Sequence, residues 1–317
     1  MRKIYTILVF CSFVFSAFAQ QEQQNTQFMY NKQSYNPGFV GSADAGCFTA
    51  IVRRQWLEVD GAPEVQVLNF HTPLLGQRVG VGGGISRQVV GITENITANA
   101  AYAYRLRLGN GYLGIGIDAS IRSLKNNYGD SRLVGTQAID MDPSIPGTQV
   151  QKFIFNFGSG LYYNGEKFYL GVSSPRLLNT NIDFATEDPL LAREEQHYYL
   201  MGGTTFPVGE NVKLQPQVLV KYVQNAPLDA DANLTAIFND RFMVGASYRL
   251  GGASNSGLGE SVDLLVGAYI NEHLVFGLSY DLTLSGLKDY TSGSIEAMVR
   301  YCLGDGQDGD YLNPRFF

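Results

Sequence analysis

The sequence predicts an all-β protein, an outer-membrane β-barrel of about 14 antiparallel strands. Three observations carry that reading: an exported leader, recurrent period-two alternation at membrane-spanning length, and connections that sort by length into short and long sets. A short N-terminal segment ahead of the first strand is too short to fold alone and is expected either to plug the lumen or to stay in the periplasm.

The leader comes first in the chain. Arg2 and Lys3 form a basic start, Ile4 to Phe18 is apolar, and Ala17-Phe18-Ala19 supplies a small-x-small cleavage pattern. Cleavage is expected near Ala19, and Cys11 is expected to leave with the leader. The apolar run is short for an anchoring helix, and no later stretch approaches the roughly 20 apolar residues a spanning helix needs. The organisation expected is therefore 1–19 signal peptide, 20–46 N-terminal segment (periplasmic or lumenal), 47–303 barrel and 304–317 tail.

Alternation identifies the strands. In Tyr112 to Arg122, Leu113, Ile115, Ile117, Ala119 and Ile121 share one face, and Gly114, Gly116, Asp118, Ser120 and Arg122 share the other. The same period governs Arg241 to Leu250, His273 to Leu282, and the final strand with Ile295, Ala297, Val299 and Tyr301 opposite Glu296, Arg300 and Cys302. Helices would repeat their apolar residues every three or four positions instead. Tight turns are expected at 109–111, 164–166, 209–211, 239–240 and 271–272, alternating with longer segments at 125–149, 174–195, 225–231, 252–260 and 284–293. Short periplasmic turns and long extracellular loops are the habit of outer-membrane barrels, whereas a soluble sandwich has no reason to sort loops by parity.

Lipid offers no hydrogen-bond partners to a sheet edge, so the sheet must close on itself. Its apolar face then meets lipid and its charged face lines the lumen. Arg105, Arg107, Asp118, Arg122, Lys221, Arg249, Asp263, Asp281, Glu296 and Arg300 are expected inside, paired or solvated. Tyr102, Tyr104, Tyr169 and Tyr248 are candidates for the interfacial aromatic girdles.

Composition agrees. Hydrophobic residues make up 45% and charged residues only 16% of 317, with 36 Gly, against roughly a quarter charged in soluble domains. That excludes disorder and coiled coil. The formal net charge is −6, and removal of Arg2 and Lys3 leaves 21 bases against 29 acids, or −8. An acidic chain without a basic patch is not a nucleic-acid binder.

Signs of catalysis are missing. His71, ahead of Thr72-Pro73 at an expected turn, His197, and His273 after a turn lack metal-ligand spacing, and no Gly-x-Ser-x-Gly elbow occurs. Gly80-Val81-Gly82-Gly83-Gly84 lacks the Lys and Ser/Thr of a phosphate loop, and suits curvature or close packing in a strand. No catalytic residue, metal or cofactor is assigned. A membrane-embedded hydrolase would need Ser, His and an acid converging on one rim. Cys47 opens the first strand and Cys302 ends the last, so both fall at one rim of adjacent strands and point inward. A Cys47–Cys302 disulfide across the seam is one expectation, two separate thiols the other.

A resemblance adds to this. Gln27-Phe28-Met29-Tyr30-Asn31 and Tyr35-Asn36-Pro37-Gly38-Phe39-Val40-Gly41-Ser42, then Arg54-Gln55-Trp56 and Gly61-Ala62-Pro63, resemble the PorP/SprF family of the Bacteroidetes type IX secretion and gliding-motility apparatus. Tyr102-Ala103-Tyr104, Gly158 to Tyr163, Phe168 to Ser173 and Ser292 to Glu296 match as well. Gly38 and Ile295 depart from the family's commonest residues, Ala and His. The resemblance implies an outer-membrane accessory barrel and not an enzyme. Its implied partners are a secreted protein with a C-terminal sorting domain, such as a surface adhesin, periplasmic ring or peptidoglycan-associated components, and outer-membrane lipid. Tyr30, Asn31, Asn36 and Pro37 would plug the lumen or dock at the periplasmic rim, and Arg54, Gln55, Trp56, Gly61, Ala62 and Pro63 would engage a partner. The residues alone leave a passive channel open, with lumen charges setting its selectivity.

Overall fold

The computed structural model describes residues 23–133, 148–182, 193–224, 226–251 and 259–303. The leader, its cleavage site, the tail 304–317 and parts of the long segments lie outside them.

The alternating segments form strands. They are β1 (Gly46–Arg54), β2 (Glu64–Leu74), β3 (Val79–Val90), β4 (Thr93–Leu108), β5 (Gly111–Asn127), β6 (Gln149–Asn164) and β7 (Phe168–Arg176). After a small two-stranded sheet of β8 (Thr180–Asn181) and β9 (Arg193–Glu194) come β10 (His197–Thr204), the short β11 (Phe206–Pro207) and β12 (Val212–Val223). The wall continues with β13 (Asp229–Phe238), β14 (Phe242–Leu250), β15 (Ser261–Tyr269), β16 (Leu274–Thr283) and β17 (Ser294–Leu303). Every neighbour is antiparallel. Pairing of β1 with β17 and of β10 with β12 closes the sheet into a barrel of 14 strands, with β11 appended to β12.

Closure satisfies the edges that lipid cannot. Burial alternates along each strand: in β14, Phe242, Val244, Ala246, Tyr248 and Leu250 are exposed while Met243, Gly245, Ser247 and Arg249 are buried. The outward set is the lipid-facing belt. No helix among the described residues is long and apolar enough to cross a membrane.

The connections sort by rim as expected, with two exceptions in length, the two-residue turn 91–92 and the connection 224–228, which is shorter than 205–211 at the other rim. Turns at 75–78, 109–110, 165–167, 205–211, 239–241 and 270–273 lie at the rim where β1 begins and β17 ends. The strand ends that bound the longer connections 55–63, 128–148, 177–196, 251–260 and 284–293 lie at the opposite rim, as do those that bound 224–228. Gly91 and Ile92 make a two-residue turn at that same rim; the left-handed φ of +57° at Gly91 lets β3 and β4 reverse tightly there.

Three sequence-based placements change. Tyr169 is 1% exposed and faces the lumen, because its neighbours Phe168 and Leu170 take the outward positions. Arg107 shares a face with buried Arg105 but sits at the short-turn end of β4, past the filled lumen, and is exposed. His71 lies within β2, where it is buried, and not at a turn.

Residues 23–45 run through the barrel. Gln24 contacts Asp229 at the long-loop end of β13, and Asp44 contacts Gln77 in a short turn. The segment thus traverses the lumen from one rim to the other before entering β1.

Candidate functional site: the filled lumen and its long-loop rim

Three single-turn 3-10 helices, Phe28–Tyr30, Lys32–Ser34 and Pro37–Phe39, carry the segment down the lumen. Asn36 and Pro37 set the last of them. The Asn36 side chain accepts from the Gly38 amide at 2.8 Å, and Pro37 supplies a φ already suited to the first helical position. The Asn36 amide nitrogen donates to the carbonyls of Leu161 on β6 and Val172 on β7, at 3.0 and 3.4 Å. Asn31 accepts from Ser34 and from Asn69 of β2. The Tyr30 hydroxyl lies 2.8 Å from the Met243 sulfur.

Apolar packing fills what these polar contacts leave. Phe28, Met29, Tyr35 and Phe39 form one buried cluster with Tyr162, Tyr169, Tyr199, Met201, Leu219 and Leu265 of the wall. Tyr35 meets Tyr199 edge-on at 5.3 Å between ring centroids, and Phe39 meets Tyr162 at the same distance. The interior is therefore packed like a protein core.

Glycines in the wall give the segment its room. A Cβ on Gly80 would overlap the Val40 carbonyl, and one on Gly114 or Gly116 would overlap the backbone at Gly38 and Pro37. Gly160 is filled in the same way by the Asn36 side chain. The glycine-rich stretch of β3 is thus a bed for backbone and not an anion loop. Gly38 is equally confined, since its Cβ would lie 2.9 Å from Gly114 O and Tyr162 N.

Charges at the long-loop half hold the first residues of the segment. Glu296 accepts the backbone amides of Thr26 at 2.9 Å and Gln27 at 2.8 Å. Arg53 pairs with Asp281 at 2.6 Å and with Glu296 at 3.5 Å, and it donates to the Thr26 hydroxyl, which itself donates to Asp281. Arg249 pairs with Asp231 at 2.6 Å, and Lys221 bridges Asp231 and Asp229 at 2.7 and 3.1 Å. Asp263 lies 3.8 Å from Arg249. On the far wall Glu194 binds Arg122 at 2.9 Å, and also Arg176.

The short-turn half is different. Arg105 donates to the Gly41 carbonyl, and the Gly41 amide donates to His71 Nδ1 at 3.3 Å. The Lys32 ammonium stands 3.9 Å from the centroid of the Tyr169 ring and 5.8 Å from that of Phe39. Among the described residues no carboxylate lies within ion-pair distance of Lys32.

At the long-loop rim, 55–63 is a structured loop. Arg54 pairs with Glu64 at 2.7 Å across its base. The Gln55 amide donates to Pro63 O at 2.9 Å, and the Trp56 and Leu57 amides donate to Ser294 Oγ and Gly293 O at 3.1 and 2.8 Å. Trp56 and Glu58 hold left-handed φ values of +51° and +74°, uncommon for such residues. Gly61, at φ +74°, turns its carbonyl to the Gly91 amide. Trp56, Leu57, Val59, Ala62 and Arg132 border one cleft there.

The structure therefore gathers Arg54, Gln55, Trp56, Gly61, Ala62 and Pro63 at one rim, and Tyr30, Asn31, Asn36 and Pro37 inside. The two groups are separate. Cys47 and Cys302 face each other across β1 and β17 at the short-turn rim, with their sulfurs bonded. Sequence reasoning missed Asp229 and Asp231 in the lumen charge set. Both fall at the mouth of β13, in Asp229-Ala230-Asp231-Ala232, which alternates acid with small residue and was legible as an inward acidic face. Among the described residues no group of three or more His, Cys, Asp or Glu is arranged to hold a metal.

Fold and lumen together define the class: an outer-membrane β-barrel whose lumen is occupied by its own N-terminal segment. Solved structures of outer-membrane barrels are similar to it in fold. The Ralstonia pickettii toluene transporter TbuX matches with TM-score 0.50 and 12% identity, over 86% of this chain and 92% of that one. The monoaromatic hydrocarbon channel CymD matches with TM-score 0.50 and 12% identity, over 88% and 94%. Such low identity establishes the fold alone. No curated protein matches the chain. The family model described as "Type IX secretion system membrane protein PorP/SprF" matches residues 17–301, and the chain belongs to that family.

Proposed function

We propose that this barrel is the accessory component of type IX secretion that holds a secreted protein bearing a C-terminal sorting domain at the cell surface. The long-loop rim receives that cargo. The short-turn rim faces the periplasmic ring or peptidoglycan-associated components, and the apolar belt sits in outer-membrane lipid. The observation that carries the reading is the filled lumen: residues 24–43 are buried within the barrel except for the half-buried Tyr30 and Ser34. A barrel packed in this way is suited to binding at its rims and not to conduction, which speaks against the passive channel. No reaction is assigned to it.

Affinity capture of the tagged full-length protein from mildly solubilised outer membrane, read by mass spectrometry, tests the proposal. Recovery of a large secreted protein with a sorting domain, or of ring components, is expected. Isolation of the barrel alone, under conditions that keep other envelope complexes together, would overturn it.

A further inference from the structure

We propose that the long-loop mouth of the lumen is a docking cleft for a polar peptide segment of the retained protein, and that a basic side chain of this segment meets Asp118. The inference rests on the accessory-barrel reading above and names the chemistry of its partner. A cleft with about 70 Å3 of enterable space, room for a side chain at its deep end, lies between β3, β4 and β5 on one side and β7 and β10 on the other. Gln23, Ser34 and Tyr35 of the N-terminal segment form its floor. Its walls carry amides and hydroxyls, among them Gln88, Asn95, Thr97, Asn99 and Ser120. Side chains of this kind pair with peptide backbone in both directions, donating and accepting.

Two acceptors in the cleft are left over. Asp118 Oδ1 and Asn95 Oδ1 are buried and accept no hydrogen bond among the described residues. A carboxylate so placed costs free energy until a donor reaches it. The arginines of the same cleft, Arg122 and Arg176, both pair with Glu194, and the Arg176 charge also reaches Asp118, yet Asp118 Oδ1 receives no hydrogen bond among the described residues. The missing group is therefore a donor, and the field of this half of the lumen makes a cation the better one. Asp229, Asp231, Asp263, Asp281 and Glu296 face only Arg53, Lys221 and Arg249 in the network described, five carboxylates against three cations. A surplus of one sign at a concave mouth attracts and orients the opposite sign. A neutral glycan satisfies the hydroxyls and amides but gains nothing from that field.

A photo-crosslinking residue placed in the full-length protein on cells tests this, at Ser120 in the cleft and, separately, at Val59 on the rim loop. Each is combined with Asp118→Asn, which keeps the shape and removes the charge. The expected result is a protein adduct at Ser120 whose crosslinked peptide carries Lys or Arg within a few residues. Asp118→Asn should cut that adduct about tenfold while leaving the Val59 adduct and the heat-modifiable barrel band unchanged. Adducts at Val59 alone, a Ser120 adduct insensitive to Asp118→Asn, or a glycan ladder at Ser120 would overturn the cleft while sparing the accessory role. Adducts at neither position would overturn both.

Discussion

The backbone amide of Thr26 donates a 2.9 Å hydrogen bond to Glu296 Oε2, tying the N-terminal segment to the strand that closes the barrel. Glu296 lies on β17, and the Arg53 that pairs with it lies on β1, its partner across the closure. The segment thus bonds both sides of one seam. It is part of the fold's closure as well as its filling.

Replacement of Glu296 measures that tie. Glu296→Ala strands Arg53 with one acid in place of two and leaves the amides of Thr26 and Gln27 without their acceptor. Removing one partner of a buried pair costs roughly 3–5 kcal/mol. The heat-modifiable gel transition should shift to clearly lower temperature, and protease should reach residues 23–42 in the variant. An unchanged transition would mean that the segment contributes nothing to closure.

The glycine bed makes a sharper test of the segment's position. Gly80→Ala places a methyl where the Val40 carbonyl sits, and backbone cannot step aside as a flexible side chain does. Overpacking of this sort costs roughly 1–3 kcal/mol. Gly286→Ala, in the long-loop segment 284–293, meets nothing within 4 Å and serves as the control. Gly80→Ala should loosen the segment to protease and Gly286→Ala should not. Equal resistance in the two variants would place the segment elsewhere.

Much of the barrel was legible because period two is a local signal. Phe242, Val244 and Ala246 declare an outward face without reference to any distant residue. The segment inside was legible only in part. Its Asn36-Pro37 step announces a turn, but nothing local says that Gly80, Gly114 and Gly116 are empty to receive it, since that relation spans the chain. Tyr169 misled for a related reason. An aromatic in a barrel strand suggests a girdle, and only the parity of Phe168 and Leu170 turns it inward. The left-handed Trp56 had no signal at all, because Trp has no preference for that conformation.

Lys32 stands at an apparent loss. Its ammonium is buried, and among the described residues the faces of Tyr169 and Phe39 are what stands against it. Lys32→Met keeps the length and removes the charge. The variant should be more stable by about 1 kcal/mol, since a buried charge without an acid is costly. A variant less stable than wild type at neutral pH would show that the charge is satisfied.

Cys47 and Cys302 predict a specific chemistry at the short-turn rim. Their strands pair directly, and the envelope is oxidising. Protein isolated without reductant should resist alkylation at both positions until reduced, when intact mass should rise by two adducts. Reduction should lower stability by roughly 2–4 kcal/mol. Two adducts before reduction would exclude the bridge in the native protein.

Trp56 separates a binding role from a structural one. Its hold on the barrel is through backbone, from its own amide to Ser294 Oγ and from Leu57 to Gly293 O, and these bonds survive truncation of the ring. Trp56→Ala should therefore leave the heat-modifiable band intact. If the ring is an anchor for cargo, its loss should weaken retention by about 2 kcal/mol, a drop of roughly 30-fold in affinity. Trp56→Gly also relaxes the left-handed backbone at φ +51°, so it should match Ala in lost retention while equalling or exceeding it in stability. Full retention in both variants would reassign Trp56 to the membrane interface, and loss of the folded band in both would make the block a structural brace.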